Sequence, residues 1–253
     1  MSSNPAKASI VAHQSYLTAI ELNDNTMAAR AAFLNAEGYA KQSKFSDAKF
    51  RYTPPKQLVI LCHGLGADAY DLIDIAPTWG HALPDAIFAS VQAPEEYFSG
   101  FGRQWWPVSD RRPEVMEGGV RKAAEHLNAF IDAELARLGL PPDAYALMGF
   151  SQGAMTVLFT GLRRKMAPRA ILAFSGALIA PDTLEAEIAN RAPVLLAHGE
   201  ADGQVPVSRS HDAEALLTEL GVPVETVYSP KLGHGIDDSG IAMGALALQR
   251  GFS

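Results

Sequence analysis

A chain of 253 residues, 48% hydrophobic and 19% charged, has the length and composition of a folded globular protein and not of a disordered one. Its formal charge of −7, from 21 Lys and Arg against 28 Asp and Glu with no basic cluster, speaks against nucleic-acid binding. The single cysteine, Cys62, excludes an intrachain disulfide and any CxxC metal site.

The opening segment, MSSNPAKASIVAHQSYLT, has no apolar signal core. No apolar run in the chain approaches the length of a membrane span. A cytoplasmic protein is therefore the expectation. Residues 1–50 are poor in branched aliphatics and rich in Ala, Asn, Ser and Lys. Within them, residues 26–42 predict one modest helix, with Met27, Ala31 and Leu34 on one face and Thr26 as its cap. The expected unit is an N-terminal arm, residues 1–50, partly helical or loosely ordered.

From residue 56 short runs of branched aliphatics alternate with helical stretches. The runs are 57–62, 86–91, 144–150, 170–175, 193–198 and 222–228, nearly continuous in apolar character as strands buried on both faces should be. The helical candidates are 70–83, 114–138, 152–165, 208–220 and 237–250. The longest places Val120, Ala124, Leu127, Ile131 and Leu135 on one stripe, and Pro141-Pro142 forbids its continuation. This alternation predicts an α/β fold, a mostly parallel sheet with helices on both faces, in one domain spanning residues 51–253.

Residues 149–153 read Gly-Phe-Ser-Gln-Gly, a G-x-S-x-G pattern with a predicted strand before it and a predicted helix after it. A serine on such a turn has strained backbone angles and holds its hydroxyl above the sheet edge. Ser151 is the candidate nucleophile. The N–H of Gln152, at a helix N-terminus, is free to donate to a developing oxyanion.

A serine hydroxyl needs a base. His81, His126 and His211 fall in helical stretches and read as solvated faces, and His13 lies in the arm. In the strand–turn–helix serine hydrolases the chain order is Ser, acid, His, and only His198, His211 and His234 follow Ser151. His234 sits between glycines on the loop after the last strand, and is the candidate base. For the acid, the loop after strand 193–198 offers Glu200 and Asp202. Asp202, beside Gly203, suits the turn from which a carboxylate must reach a histidine Nδ1. Asp237 and Asp238 read as caps of the final helix.

Residues 63–66, His-Gly-Leu-Gly, follow the strand 57–62. In the hydrolase reading the N–H of Leu65 is the second oxyanion donor and His63 buttresses the loop. The same stretch matches G-x-G-x-x-A, a dinucleotide fingerprint, but the next strand does not end in the acidic residue that would take the ribose. Residues 97–106 form an aromatic, glycine-bearing loop at the edge where open parallel sheets bind ligands. Phe101, Trp105 and Trp106 are the substrate-binding candidates, as an apolar wall for an acyl or alcohol group. The alternative reading makes them anchors that pin a long loop.

Taken together, LVILCHGLGAD at 58–68, RQWWP at 103–107, GFSQGA at 149–154, HGEADGQVP at 198–206 and GHGI at 233–236 resemble the phospholipase/carboxylesterase family of α/β-hydrolases. The resemblance spans about residues 56–250 and omits the arm. It implies an α/β-hydrolase fold, Ser151, Asp202 and His234 as catalytic residues, and Leu65 and Gln152 as the oxyanion hole. It also implies that neither a cofactor nor a metal is needed, and that the protein is a homodimer. The expected activity is a serine carboxylesterase acting on small-molecule esters of short to medium acyl chains through an acyl-enzyme. An acyl-protein thioesterase or lysophospholipase is the second reading, and a non-catalytic binding protein on the same scaffold is a third.

Overall fold

The structure, a computed structural model, describes residues 17–20, 55–98 and 100–253. Its centre is a seven-stranded sheet in the order β1-β3-β2-β6-β7-β8-β9, with every pairing parallel. The strands are β1 (Leu17–Ile20), β2 (Gln57–Cys62), β3 (Ala86–Val91), β6 (Tyr145–Phe150), β7 (Ile171–Phe174), β8 (Val194–Gly199) and β9 (Val224–Ser229). A two-stranded antiparallel ribbon, β4 (Glu95–Glu96) and β5 (Arg103–Gln104), stands apart from the sheet.

The helices are α1 (Ala76–Ala82), α2 (Pro113–Leu138), α3 (Gln152–Arg163), α4 (Pro181–Glu187), α5 (Ser208–Glu219) and α6 (Asp238–Phe252). Side chains alternate along each strand, so the sheet feeds two cores. Leu58, Ile60, Tyr145, Leu147 and Ile171 face a core with Val120 and Leu127 of α2, Val157 and Leu158 of α3, Leu184 of α4 and Leu217 of α5. Val59, Leu61, Met148 and Leu172 face a second core with Trp79 of α1 and Leu248 of α6. The expected α/β-hydrolase architecture, with helices on both faces of a parallel sheet, is therefore present. Apolar runs covered on both sides explain why the central strands could be read as strands without an alternating pattern.

Three details depart from the expectation. The stretch 70–83 is not one helix: a 3₁₀ turn at Ile73–Ile75 precedes α1. Asp68 accepts the Tyr70 N–H at 2.8 Å, a local turn that competes with helix, and Pro77 fits only the first turn of a helix that starts later. Helix α4 was not expected. Residues 17–20, inside the expected arm, pair with β3 in the register Leu17↔Phe88 to Ile20↔Val91, and the helix expected at 26–42 lies outside the described residues.

The connectivity positions the site. From β2 the chain moves outward to β3, then returns across β2 to place β6 on its other side. Reversal of direction leaves a crevice at the carboxyl ends of β2 and β6. The loop 63–66 and Ser151 leave the sheet at those two ends.

Candidate active site

Ser151 links β6 to α3 with φ 54° and ψ −116°, a left-handed backbone on a residue with a side chain. Such a conformation costs about 1–3 kcal/mol and persists only when its surroundings over-determine it. The Ser151 N–H donates to the Phe174 carbonyl at 2.8 Å, fixing the turn to β7. A Cβ on Gly153 would overlap the Cys62 carbonyl oxygen, and one on Gly149 would overlap the Gly153 carbonyl, so both flanking positions need glycine.

His234 Nε2 lies 2.9 Å from Ser151 Oγ, and His234 Nδ1 lies 2.7 Å from Asp202 Oδ2. The other carboxylate oxygen, Oδ1, accepts the Gln204 and Val205 N–H groups at 2.8 and 3.0 Å. The two loops are tied to each other, since Ala201 N–H donates to Leu232 O at 3.0 Å and Glu200 N–H to Ser229 O at 2.9 Å. Glu200 itself is exposed and stands outside this chain of bonds. The His234 ring packs on Phe150, centroids 4.8 Å apart. Burial pushes the Asp202 carboxyl up, but the His234 bond and the two amides outweigh it and hold its pKa below the ordinary value. Asp202 is thus kept ionised where it orients the imidazole.

Asp237 is the N-cap of α6, as expected. Its Oδ1 accepts the Gly240 N–H at 2.9 Å, and Ser229 Oγ donates to Oδ2 at 2.6 Å.

The loop after β2 lies against the nucleophile. A Cβ on Gly64 would stand 3.5 Å from Ser151 Cβ, which puts the next residue, Leu65, beside the reacting hydroxyl. Gln152 opens α3, so its N–H has no carbonyl behind it in the helix. His63 is buried. Its Nδ1 donates to Gly64 O at 2.7 Å, so its Nε2 accepts the Ala93 N–H at 3.1 Å. Burial lowers its pKa and keeps it the neutral buttress that was expected. The dinucleotide alternative finds no helix opening at these glycines, because the first helical turn begins at Ile73. Gly66 and Ala67 instead exchange backbone hydrogen bonds with Arg103, which straps the ribbon β4–β5 onto the loop.

The aromatic candidates take different places. Trp105 and Trp106 are each only 1% exposed, whereas Phe101 is 84% exposed. Trp105 Nε1 donates to His63 O at 2.9 Å, pinning the loop 63–66. The Trp106 ring packs directly on Gly119 of α2. It also lines a groove of about 270 Å³ with Pro107, Glu114, Val115, Gly118 and Lys122, to which Ser151, Asp202 and His234 do not contribute. Anchoring of the loop is what the two indoles visibly do. The sequence reading missed the Gln152 side chain: Trp105 N–H donates to its Oε1 at 2.8 Å, and its Nε2 donates to Trp106 O at 2.7 Å. An amide two-sidedly complementary to a backbone segment carries no sequence signal.

Such an arrangement can deprotonate a hydroxyl, attack a carbonyl and stabilise the oxyanion that forms. Among the described residues, no group of three or more His, Cys, Asp or Glu side chains is placed to share a metal ion. Among them, too, no helix is long and apolar enough to cross a membrane.

Comparison with known proteins agrees with this geometry. The sequence profile of the phospholipase/carboxylesterase family matches residues 50–245. Esterase YpfH of Escherichia coli is 27% identical over 186 residues, 73% of this chain and 78% of that protein. Acyl-protein thioesterase 1 of Schizosaccharomyces pombe is 31% identical over 179 residues, 64% of this chain and 76% of that protein. The crystal structure of esterase PE8 superposes with a TM-score of 0.74 at 40% identity, covering 77% of this chain and 92% of that one. With a matching profile over most of its length, and with that family's fold around a Ser–His–Asp chain, the protein belongs to the phospholipase/carboxylesterase family.

Proposed function

We propose that the protein is a serine esterase that hydrolyses carboxylic esters of short to medium acyl chains through an acyl-enzyme. The observation that carries this reading is the unbroken chain from Ser151 Oγ to His234 Nε2 at 2.9 Å and from His234 Nδ1 to Asp202 Oδ2 at 2.7 Å. Ser151 Oγ attacks the ester carbonyl carbon while His234 Nε2 takes its proton. The carbonyl oxygen becomes an oxyanion facing the Leu65 and Gln152 N–H groups. His234 returns the proton to the leaving oxygen, and the alcohol departs. Water then attacks the acyl-Ser151 ester, gives its proton to His234, and the carboxylic acid leaves as Ser151 is restored. Asp202 stays ionised throughout, holding the Nδ1–H tautomer and stabilising the imidazolium.

A thioesterase or lysophospholipase activity is the second reading, favoured by the similarity to acyl-protein thioesterase 1. Both readings use one acyl-enzyme chemistry and differ in the leaving group. Phe101, 84% exposed, enters the proposal as the flank of the acyl or alcohol site, while Trp105 and Trp106, each 1% exposed, hold the loop that carries it. A homodimer and a cytoplasmic setting belong to the same proposal, tested by light scattering and by cell fractionation.

The test is a series of p-nitrophenyl esters from acetate to palmitate, with one acyl thioester, for wild type and Ser151→Ala. Serine-dependent rates that peak at short to medium chains support the esterase. A long-chain peak or a strong thioester preference moves the assignment to the second reading. Absence of any serine-dependent rate contradicts both.

A further inference from the structure

Asp202 has a second histidine neighbour that the mechanism above does not use. His198, the last residue but one of β8, has no exposed side-chain surface, and its Nε2 lies 3.2 Å from the same Oδ2 that receives His234. That nitrogen also lies 2.8 Å from the Val205 carbonyl oxygen, and Nδ1 lies 2.6 Å from Ser210 Oγ on α5. A carbonyl oxygen can only accept, so Nε2 carries the proton. In the neutral ring Nδ1 must then accept, and the Ser210 hydroxyl donates to it. Ser210 is 3% exposed, which removes it as a second nucleophile. Its hydroxyl pairs His198 Nδ1 and holds the ring in place, while the Val205 carbonyl sets the tautomer.

Val205 is grasped from both sides. Its carbonyl receives His198, and its N–H donates to Asp202 Oδ1 at 3.0 Å. The carboxylate therefore has two amides on Oδ1, the His234 imidazole on Oδ2, and the His198 ring edge 3.2 Å from that same Oδ2. We propose that His198 is a positioning residue for the esterase reaction: held by Ser210, its Nε2–H grips the Val205 carbonyl, and through the Val205 N–H and its own edge beside Oδ2 it sets how Asp202 meets His234. The supporting chain then runs from Ser210 through His198 and Val205 to Asp202, which meets His234. Reversing the His198 tautomer would aim a lone pair at a carbonyl oxygen and a carboxylate at once, which is repulsive.

This inference rests on the triad reading, and the controls separate the two. If Ser151→Ala retains turnover, the triad reading fails. If Ser151→Ala is dead while the His198 and Ser210 variants behave as wild type, only the present inference fails. The variants are Ser210→Ala, Ser210→Thr, His198→Phe and His198→Gln, assayed on one p-nitrophenyl ester with active sites counted by fluorophosphonate titration. Misplacement of a reacting group by a fraction of an ångström to one ångström costs on the order of tenfold to 100-fold. Ser210→Ala and His198→Phe should therefore lose about tenfold to 100-fold in kcat per titrated site with KM little changed. Ser210→Thr, which keeps the hydroxyl, and His198→Gln, which keeps an N–H for the Val205 carbonyl, should recover most of it.

Two spectroscopic readouts separate positioning from mere folding. Nitrogen-15 shifts of His198 should report the Nε2–H tautomer in wild type. The low-field proton resonance of the Asp202–His234 hydrogen bond should move in His198→Phe, where the Nε2–H beside Oδ2 is lost, and in Ser210→Ala, where the ring that carries it is released. A wild-type kcat in both variants, an unmoved resonance, or an Nδ1–H tautomer in wild type overturns the proposal. If His198→Phe does not fold, Ser210→Ala, which keeps the imidazole in the core, decides the question by the same measurements.

Discussion

Gln152 and Trp105 are joined across the crevice by a buried hydrogen bond, Trp105 N–H to Gln152 Oε1 at 2.8 Å, while the other end of the same amide donates to Trp106 O at 2.7 Å. The residue that follows Ser151 thus grips the strap that carries the indole of Trp105 to the loop 63–66. Its side chain serves the scaffold, and its backbone N–H, at the start of α3, takes no part in that grip.

Gln152→Ala separates them. The substitution leaves the backbone donor in place and strips two buried partners from the strap. Each buried group left unpaired costs about 1–3 kcal/mol. The variant should melt at lower temperature and lose kcat as the loop at 63–66 relaxes, and thermal unfolding followed by steady-state kinetics checks both. Unchanged stability would mean that the clamp is not needed to hold the strap.

Gly153→Ala tests the approach of α3 to the end of β2. In a helix interior alanine is favoured over glycine by about 1 kcal/mol. Here the added carbon overlaps the Cys62 carbonyl oxygen, a backbone atom that cannot swing away. Overpacking of this kind costs about 1–3 kcal/mol or more, so steric overlap outweighs helix propensity. The variant should be destabilised and nearly inactive. Chemical denaturation that shows equal or greater stability would contradict the described packing.

Glu187 gives a pH-dependent prediction remote from the site. Burial pushes its carboxyl up, but Arg163 and Arg121, each at 2.6 Å, and Thr183 at 3.1 Å hold its pKa at about 2. The unfolded chain protonates this group near pH 4.3. A depressed folded value means the stabilisation is fully present above the unfolded value and is lost as pH falls toward about 2. Glu187→Gln should therefore cost about 1–2 kcal/mol at neutral pH, a figure kept small because the pair is partly solvated. The gap to wild type should close between pH 5 and pH 2. Melting curves across that range check the sign, and a gap that widens toward acid would contradict it.

Much of this was legible in the residues. β2 and β3 have the bounds read from the sequence, because strands covered on both faces must be apolar throughout. The convergence of Ser151, Asp202 and His234 was legible because the expected chemistry calls for a tight turn, an acid and an imidazole at loops of one sheet edge. Helix α4 was not: seven residues with one buried side chain, Leu184, give no periodicity to read. Strand β1 is four residues long and owes its place to pairing with β3, a long-range contact that composition cannot report. Trp105 and Trp106 could be read as wall or as anchor, and only burial at 1% shows the anchoring. His198 was legible as a histidine closing a strand, yet its place beside Asp202 depends on how the loop to Val205 folds back.

The central claim is that Ser151 is a nucleophile activated by His234 and Asp202. Labelling with a fluorophosphonate, followed by peptide mapping, tests it most directly in wild type, Asp202→Asn and His234→Ala. The account predicts a single phosphonylated peptide, modified at Ser151. It also predicts labelling slowed by about 10⁴ in Asp202→Asn, the cost of presenting the wrong imidazole tautomer, and at least as much in His234→Ala. Folded wild-type protein that stays unlabelled, a label on another serine, or undiminished labelling in both variants would contradict it.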